Sequence, residues 1–168
     1  RRMSKTDPPK LDQLHPIIQN AVRAIPESEH YLIALSGGLD SMALLQFAVP
    51  YLLQAKYSKI QVIHIHHGLS ANADDWAEHC QSVCGEMGLE CFVERVSVVS
   101  EGQGVEAAAR KARYQVFEAY LSSGSVLLQG HHQNDQAETV LMRLLRGAGP
   151  EGLSGIPQQR DLSKGSVF

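Results

Sequence analysis

The string Ser36-Gly37-Gly38-Leu39-Asp40-Ser41 lies between the apolar run Tyr31-Leu32-Ile33-Ala34-Leu35 and the helix-forming run Met42-Ala43-Leu44-Leu45, which commits this part of the chain to a strand–loop–helix joint. A joint of this kind aims backbone N–H groups and a helix N-terminus at one point, which suits a phosphate. Gly37 and Gly38 let the backbone turn sharply and approach an anion without a Cβ in the way. Ser36 and Ser41 add hydroxyl donors, and Ser41 is also placed to cap the helix. Asp40 beside a phosphate calls for a cation between them, so it is read as a Mg²⁺ contact. The competing reading is a plain strand–turn–helix joint with a Ser/Asp cap. The common P-loop string G-x-x-x-x-G-K-S/T does not occur in the chain.

A length of 168 residues with 43% hydrophobic content fits one soluble domain with a core of its own. No apolar run approaches the ~20 residues that span a bilayer. Residues 1–10 lack the apolar centre of a signal peptide and read as a disordered start, or as residues added ahead of Met3. Cys80, Cys84 and Cys91 follow the spacing C-x3-C-x6-C, which matches neither a zinc site nor a disulfide framework, so they read as buried structural thiols in a cytosolic protein. Net charge is −3, but residues 70–106 carry eight acidic side chains against Arg95 alone. No basic stripe is evident of the kind that grips nucleic acid unaided.

Apolar periodicity predicts a helix over Leu11–Ile25, a strand over Tyr31–Leu35, and a helix over Ser41–Gln54 that Pro50 should kink or end. A second strand is expected over Lys59–His66, a helix over Asp74–Met87 stopped by Gly88, and a third strand within Leu89–Val99. A long helix over Val105–Leu121, a fourth strand over Ser125–Gln129 and a helix over Asp135–Arg146 complete the series. Alternating strands and helices imply a three-layer, doubly wound α/β fold with a parallel sheet covered on both faces. Ligands of such sheets bind beyond the C-terminal ends of the strands, where the strand order reverses. The segments Ser36–Ser41, His64–Gly68 and Gly130–Asp135 all fall at strand ends of that kind. The tail Pro150–Phe168 is Gly-rich and polar, without a closing element, so residues 11–157 read as the domain and 158–168 as the start of a linker.

Three further groups of residues can carry chemistry. His64 and His66 share one face of the second strand and His67 the other. A zinc reading lacks a completing ligand, which leaves a strand end that touches a nucleotide base or phosphate. Glu106, Arg110 and Arg113 stand at i, i+4 and i+7 on one helix face, as a solvated charged stripe or as anion ligands. The preceding turn Gly102-Gln103-Gly104-Val105-Glu106-Ala107 matches G-x-G-x-x-A, but the fourth strand ends in Gln129-Gly130, without the acid a dinucleotide site needs for its ribose. Asp135 and Glu138 open the last helix at i, i+3, either as routine N-terminal carboxylates or as a pair that holds a cationic amine.

The loop resembles the S-G-G-x-D-S pyrophosphate loop of the N-type ATP pyrophosphatases. The wider chain, from about Leu32 to Pro157, is similar to the N-terminal domain of the tRNA(Ile)-lysidine synthetase family. Besides the loop, the resemblance is carried by His64-Ile65-His66-His67-Gly68-Leu69-Ser70, by Glu106-Ala107-Ala108-Ala109-Arg110-Lys111-Ala112-Arg113-Tyr114, by His132–Thr139 and by Arg146-Gly147-Ala148-Gly149-Pro150-Glu151-Gly152-Leu153-Ser154-Gly155-Ile156. One departure stands out: where the family reads H-x-D-D-Q-x-E-T, the first acid is Asn134, which keeps hydrogen bonding and loses the charge.

The resemblance implies the adenine-nucleotide alpha-hydrolase (PP-loop ATPase) fold and an ATP-dependent ligase. Its partners would be free L-lysine and the isoleucine tRNA with anticodon CAU, the tRNA held largely by C-terminal domains, and a homodimer is compatible with the sequence. Ser36, Gly37, Gly38, Leu39, Asp40 and Ser41 would hold the pyrophosphate, with Mg²⁺ on Asp40, and His64 or His66 would meet the nucleotide. Arg110 or Arg113 would bind phosphate or the lysine carboxylate, His132 the α-phosphate or the base, and Asp135 with Glu138 the lysine ammonium. The rivals are a tRNA thiolase with the same loop, although C-x-x-C is lacking, and a non-catalytic nucleotide-binding module.

Overall fold

The computed structural model describes residues 11–54, 59–98, 102, 104–130 and 159–168. The helix expected at 135–146 therefore lies outside the described residues, as do His132, Asp135 and Glu138.

The expected N-terminal helix divides in two: a 3₁₀ turn over Leu11–Gln13 and then α1 over Pro16–Arg23. Pro16 takes the first helical position, where its missing N–H costs nothing, and His15 caps it by accepting the Ile17 N–H on Nδ1 at 3.3 Å. Strand β1 (His30–Ala34) leads into α2 (Leu39–Leu52), β2 (Lys59–His66), α3 (Ala73–Glu86), β3 (Cys91–Arg95), α4 (Val105–Tyr120) and β4 (Val126–Gln129). Pro50 does not end α2 at its own position. It sits in the last turn, and the helix closes past it with Leu53 N–H on Val49 O at 2.9 Å.

The tail corrects the sequence reading. It folds into β5 (Arg160–Leu162) and β6 (Gly165–Val167), an antiparallel pair whose inner strand β6 lies parallel to β4. Residues 160–167 thus belong to the sheet rather than to a linker. Three-residue strands carry too little alternation to be read without their partners. The six-stranded sheet runs in the order β3-β2-β1-β4-β6-β5, all parallel except β5.

Alternation along β1 sorts its side chains between two cores. Tyr31, Ile33 and Leu35 pack with Leu45, Val49 and Leu52 of α2 and with Cys80 and Cys84 of α3. Leu32 turns to the other face, against Phe117 of α4 and against Leu162 and Val167 of the tail hairpin. Leu32 and Ile33 are both fully buried, so each contributes roughly 1.5–3 kcal/mol of apolar transfer. Among the described residues, α2 and α3 pack on one face of the sheet and α4 on the other, which gives the three layers expected from the alternation. Because β1 pairs with β2 on one side and β4 on the other, the strand order reverses at β1 and a crevice opens beyond its end. Among the described residues, no helix is long and apolar enough to cross a membrane.

Candidate active site

The chain leaves β1 at Leu35, whose N–H still bonds Ile63 O of β2 at 2.9 Å, and turns through Ser36–Gly38 into α2. Gly37 adopts φ +87°, a left-handed conformation that L side chains rarely take. A Cβ there would meet Cys80 Sγ at an ordinary 3.5 Å, so backbone conformation and not space selects glycine.

The cap differs from expectation. Gly38 is the N-cap, with no side-chain cap hydrogen bond, and Ser41 is the third residue of the helix. Ser41 instead ties the loop together: its Oγ accepts the Ser36 N–H at 3.1 Å, donates to Gly38 O at 2.9 Å and lies 3.0 Å from Ser36 Oγ. The side-chain hydrogen bonds of Ser41 therefore stay within the loop.

Gly130, one residue beyond β4, closes the other side. A Cβ on it would stand 2.9 Å from the carbonyl carbon and oxygen of Asp40 and 3.0 Å from Ser41 N, so two backbones touch where a side chain would not fit.

A cavity of about 590 Å³ opens at this point. It is lined by Ser36 and Ser41 of the loop, by His64 and His66 of β2 and by Arg110 and Arg113 of α4. The sequence reading had left the arginines as either a solvated stripe or anion ligands; the fold brings them to the same cavity as the loop. His67 lines it as well, from the side opposite His64 and His66 as expected: it lies near Arg113 of α4, whereas His64 and His66 meet Cys80 and Asp74 of α3. Trp76 of α3 and Gln129, which were not singled out from the sequence, also line the wall, as does Gly130 of the strand-end segment. Asp40 stands exposed in the first turn of α2, outside the lining.

The histidines divide by partner. His64 is buried, and its Nδ1–H donates to Leu35 O at 2.8 Å, which ties the end of β1 to β2. His66 Nε2 lies 3.2 Å from Asp74 Oδ1, the same oxygen that receives Arg95 Nη2. The hydrogen bond from Arg95 holds the Asp74 carboxyl below its ordinary range. Among the described residues, His67 Nδ1 is buried without a hydrogen-bond partner, and so is Arg113 Nε. Buried polar atoms are almost always paired, so two orphaned nitrogens on one cavity wall mark where a polar ligand belongs. Burial foremost, then the nearby Arg113 charge, lowers the His67 pKa and favours the neutral ring. Burial also lowers Arg113, with Arg110 adding repulsion.

These shifts give a pH dependence of known sign. His30, His64 and His67 are all lowered from 6.5, in each case first by burial. The unfolded chain then takes up protons that the fold resists, so stability is complete above the unfolded value and falls as pH drops through the lowered ones. The thermal midpoint is expected to fall between about pH 7 and pH 5, and to fall less steeply in His64→Gln. A flat profile for the parent chain, followed by circular dichroism, would refute the assignment of neutral buried rings.

Among the described residues no group of three or more His, Cys, Asp or Glu is placed to hold a metal ion by itself. A Mg²⁺ ion fits only if a ligand's phosphate oxygens supply most of its coordination, with Asp40 as the protein contribution, in keeping with that ion's usual habit.

The matching family model is that of the PP-loop domain, over residues 10–168. Among its relatives, the chain is 49% identical over 139 residues to a tRNA(Ile)-lysidine synthase from Alkalilimnicola ehrlichii, covering 82% of this chain and 31% of that protein. It is 46% identical over 136 residues to the tRNA(Ile)-lysidine synthase of Escherichia coli O157:H7, covering 81% and 32%. The chain thus spans about a third of the length of the curated relatives it matches. Among solved structures, the U34-tRNA thiolase NcsA from Methanococcus maripaludis is similar with a TM-score of 0.63 at 18% identity, covering 80% of this chain and 50% of that one. At that identity the likeness speaks for the fold alone, which is the adenine-nucleotide alpha-hydrolase type. With the loop, the switch-point cavity and a match over nearly its whole length, the chain belongs to the PP-loop domain family.

Proposed function

We propose that this chain is the ATP-binding domain of a ligase that attaches free L-lysine to carbon 2 of the wobble cytidine in the CAU-anticodon isoleucine tRNA. One observation carries the reading: the loop at the end of β1, the α4 arginines and two orphaned buried nitrogens line a single cavity. In the proposed reaction the cytosine O2 attacks the α-phosphorus of ATP and pyrophosphate leaves. The lysine ε-amine then attacks carbon 2, the C–O bond to AMP breaks, and the nitrogen gives up its proton.

The residues take roles according to chemistry. Ser36, Gly37, Gly38, Leu39 and Ser41 cradle the departing pyrophosphate with backbone donors and the Ser36 hydroxyl. Mg²⁺, shared between Asp40 and the phosphates, would offset their negative charge. His64 holds the loop's entry through Leu35, and His66 faces the nucleotide from β2. Arg110 and Arg113 meet anionic oxygen, on the α-phosphate or on the lysine carboxylate. His132 contacts the α-phosphate or the base. Asp135 and Glu138 hold the ammonium and take its proton before attack. The wobble base must leave its stack to enter, as bases do for other base-modifying enzymes. Lysine, tRNA and a homodimeric assembly belong to this proposal.

A thiolase reading is disfavoured by the cysteines. Cys80 and Cys84 are buried, and burial pushes the Cys80 thiol up to about 11, far from a reactive thiolate. The test is transfer of labelled lysine onto unmodified isoleucine tRNA by the full-length protein, with and without ATP. Asp135→Asn is expected to lower transfer at least about a hundredfold with ATP affinity unchanged. Transfer at the parent rate by that variant would remove Asp135 from the reaction, and ATP binding without any transfer by the parent would favour a non-catalytic module.

A further inference from the structure

Tyr114 stands one helical turn beyond Arg110 on α4, behind the cavity wall rather than on it. Its hydroxyl donates to Gln129 Oε1 at 2.9 Å. Its ring carries the Arg110 guanidinium 5.1 Å from the centroid and the Arg160 guanidinium, from the tail hairpin, at 4.8 Å. Phe117 packs edge-on against the same ring at 5.7 Å. One side chain thus touches three groups that do line the cavity, Arg110, Phe117 and Gln129, and is braced from outside by β5.

Gln129 sits at the switch point of the sheet. It ends β4 beside Ala34 of β1, at the point where the strand order reverses, and its N–H bonds Phe168 O at 3.0 Å. The backbone is pinned, and only the side-chain amide can still turn. A primary amide presents an acceptor on one side and two donors on the other, and the two faces exchange by a simple flip. A phenol that donates to the oxygen selects one of them.

We propose that Tyr114 is a positioning residue of the nucleotide subsite. It fixes the Gln129 amide with its N–H₂ turned to the cavity, as a donor to an acceptor atom of the bound nucleotide, and it holds the Arg110 guanidinium on the same wall. Arg160 couples the tail hairpin to this arrangement through the ring. The inference rests on the ATP reading above and adds to it the residues that orient the β4 side of the pocket.

The experiment is calorimetric titration of the chain with ATP in a double-mutant cycle of Tyr114→Phe and Gln129→Ala. Tyr114→Phe keeps the ring and both cation–π contacts, so the fold is retained while the amide is released. It is expected to weaken ATP binding about fivefold, the order of one net hydrogen bond. Gln129→Ala should cost at least as much, and the double variant no more than Gln129→Ala alone. Tyr120→Phe loses a hydroxyl from the same helix, one that donates to Glu94 and not to the cavity wall. It should lower the thermal midpoint without changing ATP affinity. Parent-like binding by Tyr114→Phe, or losses that simply add in the double variant, would overturn the proposal. A parent chain that fails to bind ATP at all would remove the nucleotide reading first, and this inference with it.

Discussion

Gly130→Ala is expected to weaken ATP binding at least about tenfold and to cost roughly 1–3 kcal/mol of stability, the usual range for overpacking a close contact. The added methyl would sit 2.9 Å from the Asp40 carbonyl and 3.0 Å from Ser41 N. Both neighbours are backbone, so no rotamer change relieves the clash, and either β4 or the start of α2 must move. The start of α2 is the part of the molecule that presents the pyrophosphate loop. A shift of tenths of an ångström there moves amide donors out of line with the ligand. Gly85→Ala serves as the control, because it lies within α3 with nothing within 4 Å of the added Cβ. It should stabilise the helix by about 0.5–1 kcal/mol and leave ATP affinity alone. Urea unfolding and calorimetry measure both quantities. Equal ATP affinity for Gly130→Ala and the parent would show that the close approach has no bearing on the site.

Arg113→Met is expected to move stability and activity in opposite directions. Arg113 is a desolvated cation beside Arg110, with its Nε buried and unpartnered. In the ligand-free chain such a group destabilises, by about 1–3 kcal/mol for one unsatisfied polar atom. Methionine fills similar volume without the charge, so the thermal midpoint should rise by several degrees. Lysine transfer by the full-length protein should fall about a hundredfold or more, since a preorganised cation facing anionic oxygen commonly contributes that much. Arg113→Lys keeps the charge without the planar fork and should fall between the two in activity. A lower midpoint combined with intact transfer would mean that Arg113 serves the core and not the ligand. The gap between the two readouts measures what the fold gives up to keep a site ready for its ligand.

The residues most readily read from the sequence were those whose role is local. Ser36–Ser41 could be placed because a glycine pair between an apolar run and a helix has few other uses, and the sharp turn expected there is made by Gly37 in the left-handed conformation. The first four strands and the helices between them were legible from period alone, with ends displaced by a residue or two. The cap was misread because Ser41 had two chemically equal choices, the helix amide or the loop, and only the turn at Gly37 brings Ser36 N within its reach. His67 does fall on the α4 side, opposite His64 and His66, and all three reach the cavity because it lies beyond the strand end. The tail was read as a linker because Leu162 and Val167 reveal their purpose only against Phe117 and Leu32.

From the sequence by itself come the α/β class, the anion-binding joint after the first strand and the candidate chemistry of each strand end, since these depend on side-chain type and on spacing within a few residues. The tertiary structure alone decided which of those ends meet. Arg113 and Ser36 are 77 positions apart and share one cavity because β1 pairs with both β2 and β4 and α4 covers the other face. It also decided that Gly130 must be small, that Tyr114 orients Gln129, and that the last ten residues close the sheet. Contacts between distant segments depend on shape and register, and no local pattern in the chain encodes them.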